Sequence, residues 1–483
     1  MKTKEIIKNQ YFTGRTYEKE LLLDIASKQT EACIIVVYGR RRVGKTELIE
    51  QTFADRQILK FEGIEGQNTQ RQQATVLSEL SKYAEEPLLA KITPDHWLDV
   101  FELIKPYVST GPWTLYFEEL QWLANYQTDF IADLKYAWDN FFKNNPQLIL
   151  ILCGSSPSFM IDKVLKSKAL YNRSQHELPL KPFSLKETRD FLKNKSLSEV
   201  MDAYLLIGGM PEYLKRAQTE SSILLSIAQQ SFTPGGFFTH EYERIFTSSL
   251  ASNIHYQKIV EFLGLHHFAS RLEIQKYLNI NSGGTLSTLL LDLEESGLIQ
   301  SYTPFDLSEN SKLVRYVISD AYLQFFYKFI KPKIKAIEAG DFIHNPLSAL
   351  NFSALEKWKG FAFERFCRAQ HRSIAKILGF EAVRYQHGAY FKRSISNLTQ
   401  SGFQIDLIFA RDDKVYTVCE IKYLNSPVSK KVIAEFEKKI ELLDPPKNIS
   451  IHRVLITANG AEESLIKAHY FDRILTLEDF FNF

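Results

Sequence analysis

The stretch "GRRRVGKT", residues 39 to 46, constrains this chain more than any other. It fits G-x-x-x-x-G-K-T, follows the apolar run "CIIVVY" and leads directly into the helical "TELIEQTF". A strand that turns through a glycine-rich loop and restarts as a helix curls its backbone amides around one point, at the positive end of the helix dipole. That geometry suits a phosphate, and a loop of this kind is built on a parallel sheet covered by helices.

The flanking sequence supplies such a sheet. Residues 31 to 183 alternate short apolar runs, "ACIIVVYG", "QILKFEG", "WTLYFEEL", "LILILCGSS" and "HELPLKPF", with helical stretches. The pattern predicts an α/β fold with a parallel-sheet P-loop core that binds ATP and Mg2+. Gly39, Arg40, Arg41, Arg42, Val43 and Gly44 would wrap the phosphates. Lys45 would reach the outer ones, and the Thr46 hydroxyl, followed by Glu47, would hold magnesium. Three successive arginines in a loop otherwise read as a solvated segment.

A second acidic element completes such a site, and "WTLYFEELQ" ends in Glu118 and Glu119. The first of these acids is ordinarily Asp, beside the metal, and the next polarises the attacking water. Glu118 stands in the Asp place with one methylene more. Positioning controls rate in phosphoryl transfer, so nucleotide binding with slow hydrolysis is expected.

At 483 residues the chain is long enough for about three domains. Lys+Arg of 59 against Asp+Glu of 57 excludes a global electrostatic footprint for nucleic acid. The start "MKTKEIIKNQ" lacks a signal-peptide core, and the longest apolar runs are strand-length. A cytoplasmic protein with no membrane segment is expected. Cys33, Cys153, Cys367 and Cys419 lie far apart, without metal or redox spacing, and read as buried free thiols.

After the core (1 to 183), "SLKETRDFLKN" and "SLSEVMDAYLLIGG" each open with Ser-x-x-Glu, a capping-box start, and begin a helical lid (184 to 251). Residues 252 to 340 read as a winged helix followed by an aromatic helix. The third helix of the winged unit carries Asp292, Glu294 and Glu295 without Lys or Arg, which favours a structural or protein-contact role over DNA reading. From 348 to 483 the order is helix, three strands, helix, strand.

In the last part, "GFQIDLIF" and "VYTVCEIKY" place Asp406, Glu420 and Lys422 beside apolar neighbours. Strand alternation puts Phe403, Ile405, Leu407 and Phe409 on one face and Asp406 on the other. A hairpin centred on Asp412 would set Asp406 opposite Val418 and diagonal to Glu420, so that one ion could bridge the two acids. Unpaired buried charge is costly, so a metal is a natural partner, with Lys422 orienting water or stabilising phosphodiester charge. Lys392, Arg393, Lys430 and Lys431, with Tyr390 and Phe391, could follow a DNA or RNA backbone or could simply be solvated.

Several of these stretches resemble STAND-related archaeal-type ATPases of the AAA+ superfamily. "FTGRTYEKELLL" is similar to their element beside the adenine, which implies nucleotide roles for Gly14, Arg15 and Glu18. "LILILCGSS" resembles their sensor strand, with Ser155 near the γ-phosphate. "LYNRSQHELPLKPFS" resembles a Gly-Arg element in which Arg173 would sense phosphate, with Asn172 in place of the usual glycine. "GGMPEYL" matches Gly-Gly-x-Pro, with Pro211 near the nucleotide. The carboxy-terminal order with its Asp and Glu-x-Lys resembles the PD-(D/E)XK nucleases, which implies a further metal ligand at Glu364. Helical spacing instead sets Glu364 nearly opposite the apolar stripe of Leu355, Trp358, Ala362 and Phe366, as a solvated residue would be. Two functions stay open. In one, ATP controls a Mg2+-dependent nuclease; in the other, it controls a signalling scaffold whose last domain binds a protein partner, within a homo-oligomer or alone.

Overall fold

Five strands form the first sheet: β1 (Cys33–Tyr38), β2 (Gln57–Glu62), β3 (Trp113–Glu118) and β4 (Ile149–Gly154), which carry β-branched or aromatic residues, and the more polar β5 (Ser174–Pro179). The structure, a computed structural model, describes residues 8–9, 12–167, 170, 174–249, 253–266, 268–280, 283–305, 314–392 and 403–482. The strand order is β2-β3-β4-β1-β5, all parallel. Every residue of β3 and β4 is buried, because helices cover both faces and no alternation is required. One face packs Trp97, Phe101, Phe117 and Phe130 edge to face. The carboxyl ends of β1, β4 and β3 lie side by side, so the loops leaving them converge on one crevice.

The helices beyond the sheet begin as their sequence caps require. At Ser184 with Glu187, and at Ser196 with Glu199, both reciprocal bonds of the capping box form. Helices Pro211–Arg216, Ile223–Phe232 and Phe237–Ser249 follow. Next come three helices, Ile254–Leu265, Arg271–Leu278 and Gly284–Glu295. A small antiparallel sheet goes with them, formed by β6 (Ala269–Ser270), β7 (Ile299–Tyr302) and β8 (Arg315–Ile318) in the order β6-β8-β7. Asp292 is buried and accepts from the Tyr256 hydroxyl, and the helix carrying it packs on the ATPase-side helix Pro157–Phe159. That helix is therefore used for internal contact. The aromatic stretch from Ala321 locks the centre, with Phe326 stacked on Tyr242 at 4.6 Å between ring centroids.

The last sheet is mixed: β9 (Tyr385–Lys392), β10 (Phe403–Arg411) and β11 (Val415–Lys422) run antiparallel, and β12 (Ser450–Thr457) and β13 (Arg473–Leu475) add on parallel to β11. Helix Phe352–Ala369 covers one face and helix Val432–Leu443 the other.

Two sequence expectations are corrected here. The hairpin is centred on Asp413, one residue later than expected, because Ile408 pairs with Val418 and Leu407 with Cys419. The shift carries Asp406 to the position across from Glu420 instead of Val418. A bulge in β10 between Ile405 and Ile408 breaks the expected alternation. Ile405 accordingly packs with Ile408 against Phe436, while Leu407 and Phe409 join the core on the opposite side. All four cysteines are buried and free, and among the described residues no helix is long and apolar enough to cross a membrane.

Candidate functional site

The loop after β1 closes around its own lysine. Gly39 admits no side chain: a Cβ there would stand 2.2 Å from the Leu180 carbonyl oxygen. Gly44, at φ 91°, begins the helix Lys45–Thr52, with Pro211 packed beside it. Lys45 is buried, and its ammonium donates to the Gly39 and Arg40 carbonyls at 2.9 and 3.1 Å. A buried cation held only by neutral carbonyls is a ready partner for phosphate, so the loop fits a nucleotide.

The acids arrive from the neighbouring strand end. Glu118 is buried at the end of β3 and accepts from the Thr46 hydroxyl, while Lys60 on β2 holds its other oxygen at 2.5 Å. A hydroxyl and a carboxylate are the hard oxygen donors that Mg2+ takes. Glu119, at φ 50°, turns its carboxylate toward the end of β4. It accepts from the Ser155 hydroxyl at 2.5 Å, the Ser155 amide at 3.2 Å and the Gln121 amide group at 2.7 Å. Strand order thus gathers Thr46, Glu118, Glu119 and Ser155 around one crevice. Gln121 was missed in the sequence, since an amide one turn past a strand carries no motif.

The arginines of the loop correct the solvated-segment expectation. Arg40 is buried against Asp320 at 2.5 Å, and Arg42 meets Glu241 at 2.9 Å with its guanidinium over Phe237. Burial and Asp320 oppose each other on Arg40, and the carboxylate wins, raising its pKa. Arg41 is exposed, over Trp122, and Glu47 is exposed and accepts from Asn9. Arg15 is buried, donates to the Val43 and Lys181 carbonyls at 2.9 and 2.7 Å, and pairs with Glu18. It braces the loop from behind. Gly14 beside it takes φ 75° against Phe183. Arg173 lies outside the described residues.

At the other end of the chain, Ile421 N–H donates to Asp406 Oδ2 at 3.1 Å, and Glu420 is wholly buried. Lys422 and Lys439 approach the two oxygens of Glu420 at 2.9 and 2.6 Å. Lys439, on the helix Val432–Leu443, was another omission, because its place on Glu420 depends on which way that helix crosses the sheet. Glu364 is not the solvated residue its spacing suggested. Its side chain is 15 % exposed, ion-paired with Arg368 at 3.6 Å and reached by Gln404, which also reaches Asp406, at 3.4 Å each. Burial, then Glu420 and Glu364, push the Asp406 carboxyl up to about 6, and burial raises Glu364. Crowded carboxyls of this kind are what a divalent cation relieves. Among the described residues, however, no three Asp, Glu, His or Cys side chains are drawn together as a metal cage. Lys430, Lys431 and Phe391 are exposed; the Lys392 side chain and Arg393 lie outside the described residues.

A parallel sheet with a phosphate loop after β1 and paired acids after β3 defines a Walker-type ATPase core. Comparison with known proteins places it further. Residues 12–217 match the family described as an ATPase domain predominantly from Archaea, so this part of the chain is a P-loop ATPase domain. An uncharacterized protein of Methanocaldococcus jannaschii is 27 % identical over 415 residues, 85 % of this chain and 87 % of that one. The Walker-type ATPase paby2304 of Pyrococcus abyssi is similar at 19 % identity and a TM-score of 0.46, covering 68 % of this chain and 99 % of its own. The ORC2 protein of Aeropyrum pernix is similar at 15 % identity and a TM-score of 0.45, covering 70 % of this chain and 99 % of its own.

Proposed function

We propose that this protein is an ATP-operated switch whose nucleotide state controls a Mg2+-dependent phosphodiester-cleaving site at Glu364, Asp406, Glu420 and Lys422, acting on DNA or RNA. The observation that carries the reading is the strand register that sets Asp406 across from Glu420, with Lys422 two positions further along the same strand. The helix-strand-strand-strand-helix-strand order around it supports a nuclease-like unit. When bound, Mg2+ would supply charge stabilisation for the scissile phosphate. The carboxylates of Asp406, Glu420 and Glu364 would hold it, and the Lys422 ammonium lies where it could stabilise developing charge or orient water.

Control has a physical route. The P-loop arginines grip Glu241 in the lid and Asp320 at the end of the unit we read as a winged helix. Asp202, in lid helix Leu197–Ile207, accepts from the hydroxyl of Tyr423, one residue beyond Lys422, at 2.7 Å and from Lys359 at 3.2 Å. One observation favours the second reading, a scaffold with a silent last domain: Lys422 and Lys439 already neutralise Glu420.

Purified protein incubated with ATP and Mg2+ on single-stranded and duplex nucleic acids separates the two. Glu420→Ala should lose cleavage and keep ATP binding, whereas Lys45→Ala should lose binding by calorimetry. Cleavage by Glu420→Ala equal to that of the parent rejects the nuclease site, and unchanged nucleotide affinity in Lys45→Ala rejects the phosphate loop.

A further inference from the structure

Lys60 sits on β2, outside every element of the nucleotide motif, yet its ammonium lies 2.5 Å from Glu118 Oε2 and 3.1 Å from Glu50 Oε1. Glu50 belongs to the helix Lys45–Thr52 that begins at the phosphate loop. The Lys60 side chain is 16 % exposed and the Glu118 side chain 6 %, and the ammonium also lies over the Tyr116 ring at 5.4 Å. The other oxygen of Glu118, Oε1, accepts from the Thr46 hydroxyl. Each carboxylate oxygen therefore has a fixed partner: one on the loop side, one on β2.

A glutamate has one more rotatable bond than an aspartate, so its carboxylate covers a wider volume and loses more rotamer freedom when held at a metal. A nearby ammonium held by a second acid removes that freedom in advance. The parallel register also sets Glu62 beside Glu118 on the neighbouring strand, so Lys60 ion-pairs with Glu50 and Glu118 while a third glutamate stands next to Glu118. Without the cation, repulsion among them would turn Glu118 away from Thr46.

We propose that Lys60 is the positioning residue of the magnesium site, holding the long Glu118 side chain in the orientation that meets Thr46, the place an aspartate would reach unaided. The proposal rests on the reading of Thr46 and Glu118 as the metal-binding pair of the ATPase. It extends that reading to a residue on β2, outside the phosphate loop and the paired acids, and it explains how a glutamate can serve at that strand end.

The test is a double-mutant cycle that reads ADP affinity by calorimetry in EDTA and in Mg2+, alongside kcat over a Mg2+ titration. The set is the parent, Lys60→Met, Lys60→Arg, Glu118→Asp and the Lys60→Met/Glu118→Asp pair. Lys60→Met should leave the EDTA affinity within about twofold and lose at least about fivefold of the Mg2+-dependent gain, with Lys60→Arg restoring most of it. In the Glu118→Asp background, where the shorter chain withdraws from Lys60, the same replacement should change the gain by less than about twofold. A lysine serving only as a cross-link between β2 and the helix would lower the melting temperature and both affinities together. That outcome, or equal losses in the two backgrounds, overturns the proposal. Should Lys60→Met not fold, Lys60→Gln, which is shorter and uncharged but keeps a polar end, takes its place in the cycle. A parent that binds ADP equally in EDTA and Mg2+ would overturn the metal-site reading itself, and the proposal with it. A parent with a normal Mg2+ gain that Lys60→Met leaves intact overturns the proposal alone.

Discussion

His387 on β9 stacks at 3.6 Å between ring centroids on His371 of the helix His371–Ile377, and His371 Nδ1 lies 3.0 Å from the Tyr385 hydroxyl. Burial, the neighbouring His371 and Arg372 push the His387 imidazole down to about 4. Its unfolded value is near 6.5, so between about 4 and 6.5 the unfolded chain takes up a proton that the folded one refuses. The stability tied to a neutral His387 is complete above that window and lost as the pH falls through it. The melting temperature of the parent should therefore drop more steeply from pH 7 to pH 4.5 than that of His387→Phe, which keeps the ring stack. Parallel curves would mean that the pair does not titrate on unfolding. Neither histidine drew notice in the sequence, because one lone histidine on a helix and another on a strand carry no pattern until the fold sets them together.

Between elements, the largest departure from the sequence concerns the arginines of the phosphate loop. A loop has no periodicity to mark a buried face, so three arginines read as solvated. Their partners, Asp320 and Glu241, belong to other elements, with Asp320 280 positions from Arg40. Asp320 also accepts from the Leu323 amide at 2.7 Å and so starts the helix Ala321–Phe325. Asp320→Asn keeps that cap and removes only the charge, leaving Arg40 buried and unpaired. A loss of about 3 to 5 kcal/mol follows from breaking such a pair, and denaturant unfolding measures it. A change below about 1 kcal/mol would mean that water or another acid takes over the guanidinium. The bulge in β10 is a further feature at this scale. Strand alternation foresaw Asp406 beside apolar residues, but an inserted residue depends on the partner strand and cannot be read from one strand alone.

Across the whole molecule, one continuous apolar core runs from Ile35 and Val37 of the first sheet through Met201 and Leu206 of the helix Leu197–Ile207 to Phe363 of the helix Phe352–Ala369 and Leu407 and Ile421 of the last sheet. The Asp202 to Tyr423 bond ties the same regions by a polar contact. If nucleotide binding moves the lid through Arg42 and Glu241, the end of β11 is where the motion arrives. Hydrogen exchange should then change near Glu420 to Tyr423 when ATP and Mg2+ are added, and this change should vanish in Lys45→Ala. Identical exchange with and without nucleotide in the parent would sink the coupling, though not the ATPase core.

The chain alone determined what depends on local order. The phosphate loop between strand and helix, the apolar central strands of a covered parallel sheet and the Ser-x-x-Glu starts of the helices Leu185–Phe191 and Leu197–Ile207 all follow from near neighbours in sequence. So did the glutamate in the aspartate place after β3. Only the tertiary structure decided what sits across from what. It brought Asp406 beside Glu420 through a turn shifted by one residue, and it brought Glu364 and Lys439 in from two helices. It also buried Arg40 against Asp320, paired Arg42 with Glu241 and set Lys60 on Glu118. Charged side chains find partners through strand order and helix crossing, and those distances do not exist until the sheets are packed.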